Sequence, residues 1–148
     1  MARVQPLVVI AVAFAAFPAA TRAEVVLGAG GGVEWTYPTG VLWAGAELWP
    51  ADAWLAPRAE VMRLPGRVLV EGALAMRAGD SRPDLFASFH VGGGAEVRGP
   101  YAAVSAGGTL RFRVAGAAIG GLEYAIGMIF EGRPRLLVTT TLFVGFSL

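Results

Sequence analysis

The sequence predicts an all-β fold, a single eight-stranded antiparallel up-and-down barrel with short connections. Three observations predict it. Apolar residues recur with a period of two along most of the chain, the repeat of a strand with two unlike faces. Breaks rich in Gly and Pro divide the chain into segments of about 9–14 residues. Mean hydropathy is +0.59, yet beyond residue 23 no uncharged apolar run reaches the ~18 residues that a membrane helix needs. The chain is very apolar without being apolar in blocks.

Before the first strand comes a leader. Arg3 is followed by an almost purely apolar stretch from Pro6 to Pro18, and Thr21-Arg22-Ala23 sets small residues at the −3 and −1 positions of a cleavage site. This order is that of a secretory signal peptide over residues 1–23, with a domain over 24–148. The chain has no cysteine, which excludes disulfides and a lipid-modified N-terminal Cys. All 12 basic residues are Arg, and without Arg3 and Arg22 there are 10 against 11 acids. A net charge of −1 with no basic stripe gives no support to nucleic-acid binding.

The strands are expected at 25–36, 41–49, 54–64, 67–78, 85–98, 101–114, 118–130 and 136–148. In 25–36, Gly28, Gly30 and Gly32 share a face with Glu34. Segment 41–49 alternates least well, because Trp43 and Glu47 share a parity. Segments 54–64 and 67–78 flank Pro65-Gly66. A two-residue turn there sets Leu64 opposite Arg67, Val61 opposite Val70 and Leu55 opposite Met76, with Glu60 beside Glu71 on the other face. A two-residue turn at Gly99-Pro100 likewise sets Phe89 opposite Leu110, Ala95 opposite Val104 and His90 opposite Thr109. In 118–130, Leu122, Tyr124, Ile126 and Met128 lie together and Glu123 lies opposite them. The stretch from Val114 to Phe130 imitates a membrane helix, but a Glu at its middle is expensive in lipid. In 136–148, Val138, Thr140, Leu142, Val144, Phe146 and Leu148 form the apolar face.

Charges then decide which face is inside. Glu34, Glu47, Arg58, Glu60, Glu71, Arg77, Glu96, Arg98, Arg111, Arg113 and Glu123 all fall on the small or polar parity. In a soluble barrel or sandwich the greasy face is the core, and such a protein would bind an apolar ligand there. In a transmembrane barrel the greasy face meets lipid and the charges turn inward. The polar parity is rich in Gly and Ala and poor in long polar side chains, which suits the narrow lumen of eight strands. The strand lengths also suit a tilted bilayer crossing of ~9–11 residues. Trp35, Tyr37, Trp43, Tyr101 and Phe130 fall near one set of strand ends, and Trp49, Trp54, Phe86, Phe112 and Phe146 near the other. Two such groups are expected to form the aromatic girdles of a membrane barrel.

The last ten residues, Thr139-Thr140-Thr141-Leu142-Phe143-Val144-Gly145-Phe146-Ser147-Leu148, resemble the C-terminal strand of small eight-stranded outer-membrane barrels of OmpA/OmpX type from Gram-negative bacteria. The family usually ends in an aromatic residue, whereas Leu148 stands here with Phe146 two positions earlier. The resemblance implies residence among outer-membrane lipids, recognition by the barrel-assembly machinery through the C-terminal strand, and a monomer.

The expected function is structural, or an interaction at the cell envelope, without catalysis, cofactor or bound metal. A structural network of lumen charges is expected from Glu34, Arg58, Glu60, Glu71, Arg77, Glu96, Arg111, Arg113 and Glu123. At least one Arg should contact Glu60 or Glu71, since two facing carboxylates repel. His90, the single histidine, has Ser88 on its face and raises the alternative of a lipid-modifying enzyme. Catalytic use would require access to lipid and a Ser–His hydrogen bond. Val25 to Gly32 imitates a dinucleotide fingerprint, but Val33 replaces its third glycine and no helix pattern follows.

Overall fold

In a computed structural model that describes residues 23–79, 84–99 and 101–148, eight strands close into one antiparallel barrel in chain order. They are β1 (Ala23–Glu34), β2 (Thr39–Pro50), β3 (Leu55–Leu64), β4 (Arg67–Arg77), β5 (Leu85–Glu96), β6 (Ala102–Ala115), β7 (Ala118–Glu131) and β8 (Arg133–Ser147). The leader expected over 1–23 lies outside the described residues except for Ala23, which opens β1. Closure is by β1 against β8, from Val26 opposite Ser147 to Glu34 opposite Thr139. Closure removes the sheet edges, so each strand's backbone ladder has a partner on both sides.

All four hairpin turns β1–β2, β3–β4, β5–β6 and β7–β8 lie at one end, here the distal end. The start of β1, the end of β8, the β2–β3 and β6–β7 connections and the facing ends of β4 and β5 lie at the opposite, terminal end. Pro65-Gly66 makes the two-residue turn between β3 and β4, with Gly66 at φ 76°. Its register is the expected one, including Glu60 opposite Glu71 and Leu64 opposite Arg67.

Two turns differ from expectation. Between β5 and β6, Ala95 pairs with Ala102, Ser88 with Thr109 and His90 with Gly107. The pairing is thus displaced by two positions from a two-residue Gly99-Pro100 turn. The Val97 N–H donates to the Val68 carbonyl at 2.9 Å, which carries the β4–β5 ladder one step past Glu96, and the Glu96 N–H donates to the Tyr101 carbonyl at 2.9 Å. A displacement of two keeps every side chain on its expected face. Between β7 and β8 the connection is tighter than 131–135: Glu131 already pairs with Arg133 around Gly132, whose φ of 41° suits glycine.

The apolar parity faces outward. Leu27, Phe89, Leu110, Leu122, Ile126, Leu142 and Val144 are all exposed, Leu142 by 68%. The charged parity faces inward, and Arg58, Glu60, Glu71 and Glu123 are buried. The interior is therefore polar at mid-height. The stretch Val114–Phe130 is no helix; it holds the end of β6 and most of β7, with Glu123 inside and Leu122 and Tyr124 outside. Arg63 breaks the inward rule for charges. It is exposed on the apolar face, one residue before the distal end of β3 at Leu64, where a long side chain can keep its charge near the interface.

The aromatic girdles need correction. Trp35, Tyr37 and Phe130 at one end and Trp54, Phe112 and Phe146 at the other are exposed. Trp43, Trp49 and Phe86 turn into the lumen, where Trp49 is only 1% exposed, and Tyr101 packs against the inner cluster of the distal half. Their position near strand ends was legible, but parity decides the side, and each shares it with lumen residues. Glycines make room for these rings. A Cβ on Gly45 would collide with Trp43, and one on Gly28 would lie 3.1 Å from Phe143. Gly45→Ala is expected to lower unfolding free energy in urea by about 1–3 kcal/mol through overpacking. Adding Trp43→Leu should recover much of that loss.

Candidate functional site

The lumen is layered. Toward the terminal end an apolar cluster of Val26, Trp43, Trp49, Ala56, Ala75, Phe86, Ile119 and Phe143 fills it. Toward the distal end a second cluster is built from Val41, Met62, Leu64, Leu69, Ala103, Ile129 and Leu137. Polar and charged side chains contributed by β2 through β7 lie between the two.

Arg58 of β3 is the hub of this middle layer and is 1% exposed. Its Nη1 donates to Glu47 Oε1 at 2.9 Å and to Thr109 Oγ1 at 3.1 Å. Its Nε and Nη2 donate to Glu60 Oε2 at 3.0 and 2.5 Å, and Nη2 also donates to Glu123 Oε2. Trp43 Nε1 adds a hydrogen bond to Glu60 Oε2 at 3.1 Å, and its ring centroid lies 5.4 Å from the guanidinium carbon. Trp49 Nε1 donates to Glu47 Oε2 at 2.8 Å. Each inward Trp thus carries a polar handle that finds a carboxylate, as buried indoles usually require.

The expected site residues separate into groups. Arg58, Glu60 and Glu123 meet directly. Glu71 is buried opposite Glu60 and accepts a hydrogen bond from Ser105 Oγ. Arg111 joins from the terminal side, with Nη1 3.8 Å from Glu47 and Nη2 3.3 Å from Glu24. Its guanidinium carbon also lies 4.3 Å from the Phe86 ring centroid. Arg77 packs over the rings of Trp49 and Phe86 at 5.4 and 5.3 Å.

Three of the expected residues serve the rims. Glu34 is buried, but its carboxylate accepts from the N–H groups of Thr36 and Tyr37 at 2.8 and 2.9 Å, so it closes the β1–β2 turn. Arg135 approaches it at 3.4 Å. Glu96 folds over its own distal turn, where a Cβ on Gly99 would overlap its carboxylate. Arg113 is exposed at the terminal rim and donates to the Gly116 carbonyl at 2.6 Å.

Glu47 and Trp43 belong to the site but were absent from the expected network. Their shared parity on β2 was the available signal: a Trp in phase with a buried Glu is itself a lumen residue. His90 is 2% exposed, and neither of its ring nitrogens has a hydrogen-bond partner. Ser88 Oγ is also buried without a partner, so the two do not form a Ser–His pair. Gly107 lies directly opposite His90, and a Cβ there would sit 2.6 Å from the imidazole Cε1.

A vestibule of about 730 Å³ opens at the terminal end, bordered by Glu24, Trp49, Arg77, Phe86 and Arg111. It stops at the Trp49–Phe86 pair, whose centroids are 4.9 Å apart in an edge-to-face arrangement. Space beside Arg58 beyond that pair amounts to about 10 Å³, the lower limit for one water molecule.

No protein-family model matches the chain. None of the curated proteins matches its sequence. A solved structure from the de novo design of transmembrane β-barrels is similar, with a TM-score of 0.66 and 15% identity over 85% of this chain and 95% of that one. The similarity is one of fold.

Proposed function

We propose that this chain is an integral β-barrel of an outer membrane, with a structural or envelope-interaction role and no catalytic one. The observation that carries the proposal is the reversal of polarity across the wall. Leu110, Leu122, Leu142 and Val144 are exposed while Arg58, Glu60 and Glu123 are buried. A soluble protein would expose a continuous apolar belt to water, whereas lipid makes that belt favourable. In this reading residues 1–23 direct export, β8 is the strand offered to the assembly machinery, and outer-membrane lipids surround a monomer.

A structural role fits the lumen. Eight strands leave an interior that side chains fill, and here two apolar clusters flank a closed polar layer. Planar-bilayer recordings are therefore expected to show no stable conductance steps. Lipid hydrolysis is not expected, because Ser88 and His90 are buried inside the wall and do not pair. Hydrolysis of phospholipid vesicles by purified protein, lost on His90→Ala, would overturn the non-catalytic reading.

Fractionation tests the location. The protein should remain with outer membranes through carbonate and urea washes, and unheated samples should migrate differently from boiled ones on detergent gels. Release into the soluble periplasmic fraction would contradict the proposal.

A further inference from the structure

We propose that Glu60, His90 and Glu123 form a buried binding site for one divalent transition-metal cation, with Zn²⁺ as the best-fitting ion. The three residues project inward from β3, β5 and β7 and are all buried. One donor atom from each lies within 4.8 Å of the other two. Ligand atoms at the ~2.0–2.2 Å bond lengths of tetrahedral zinc lie about 3.3–3.6 Å apart, and the three residues fill three of its four positions. Side-chain rotation of about 1.5 Å or less closes that difference.

The imidazole is the observation that distinguishes this cluster from an ordinary group of acids. It is fully enclosed, yet neither nitrogen is hydrogen-bonded. Buried polar groups are rarely left so, and each one calls for a partner. A metal ion would take one nitrogen as a ligand. Imidazole with carboxylate selects zinc and its neighbours over Mg²⁺ and Ca²⁺, which prefer oxygen alone.

Charge supplies a second argument. Glu47, Glu60, Glu71 and Glu123 are buried in or beside the middle layer, against Arg58 and Arg111. With all four carboxylates ionised, four against two guanidiniums would leave two negative charges in a place where unpaired charge is costly. A dication neutralises them. Arg58 already holds Oε2 of both Glu60 and Glu123, and Trp43 also donates to Glu60. These contacts would orient the ligand carboxylates from outside the coordination sphere. Gly107 keeps the space in which the His90 ring sits. The site depends on the lumen alone and holds whatever surrounds the barrel.

The test uses the full chain, refolded from urea into detergent with Zn²⁺ or Co²⁺ present, so that the ion is supplied before the lumen closes. After desalting, mass spectrometry should find one metal per chain. The Co²⁺ form should show the visible d–d bands of a low-coordinate site, bleached by Zn²⁺. His90→Ala should weaken binding by more than about a hundredfold, beyond the 10–100-fold typical of losing an outer-shell partner. Glu123→Gln, nearly isosteric, provides a second variant. Zn²⁺ should raise the urea midpoint of the parent and not of either variant. A folded parent that retains no metal would overturn the proposal and leave protons as the compensating charge. Stoichiometric binding unchanged in both variants would also overturn it. If neither variant folds, the parent's stoichiometry and Co²⁺ spectrum decide.

Discussion

Replacing Arg58 by methionine should cost about 3–5 kcal/mol of unfolding free energy, the range for breaking a buried ion pair by removing one partner. Methionine retains much of the volume, so the loss reports charge and hydrogen bonds more than a cavity. Three carboxylates, those of Glu47, Glu60 and Glu123, would lose their shared guanidinium. Glu60→Gln alone should cost much less, because the layer carries more carboxylates than guanidiniums and removing one eases their repulsion. The triple variant Arg58→Met, Glu60→Gln, Glu123→Gln should regain most of the stability lost in Arg58→Met. Urea unfolding in chelator-treated detergent or vesicles measures the series. An Arg58→Met barrel as stable as the parent would mean that the hub is not a structural element.

Arginine placed on the outer wall should show a cost that depends on depth. Leu142 pairs with Leu122, which pairs with Leu110, and all three are exposed near the middle of their strands. Leu142→Arg should cost about 2–4 kcal/mol in a bilayer, the midplane value for lipid-facing Arg. Val114 is exposed near the terminal end of β6, and Val114→Arg should cost about 0–1 kcal/mol, the interfacial value. Refolding into vesicles with urea as denaturant checks both. A neutral or stabilising Leu142→Arg would mean that this face meets water.

Much of the fold was legible because period two leaves little freedom. A one-residue slip would have mixed Glu60 with Val70, so the parity around Pro65-Gly66 fixed the β3–β4 register. A displacement of two moves no side chain through the wall and so leaves the parity unchanged. That is why the β5–β6 pairing was misplaced while its faces were right.

The site was legible in part. Arg58, Glu60 and Glu123 were placed inward by parity, but their convergence depends on strand tilt and closure, which parity does not encode. Glu34 shares that parity and instead closes a turn, because it is the last residue of β1 and faces two free N–H groups. The strand-end positions of Trp43 and Trp49 point to girdles. Their indole N–H groups instead find Glu60 and Glu47 inside the lumen.

The central claim, that the apolar face meets lipid and the charged face is enclosed, is open to one direct measurement. The chain has no cysteine, so single cysteines can be introduced one at a time along β7 from Ile119 to Phe130 and labelled with a nitroxide in reconstituted vesicles. Oxygen, which concentrates in lipid, and a water-soluble nickel chelate then report the surroundings of each label by electron paramagnetic resonance. The account predicts a two-residue period. Labels at 122, 124, 126 and 128 should be accessible to oxygen and shielded from nickel, with oxygen exposure greatest near mid-strand, and labels at 121, 123, 125 and 127 should be accessible to neither. Nickel access at 122, 124 and 126 equal to that of a water-exposed site would contradict it.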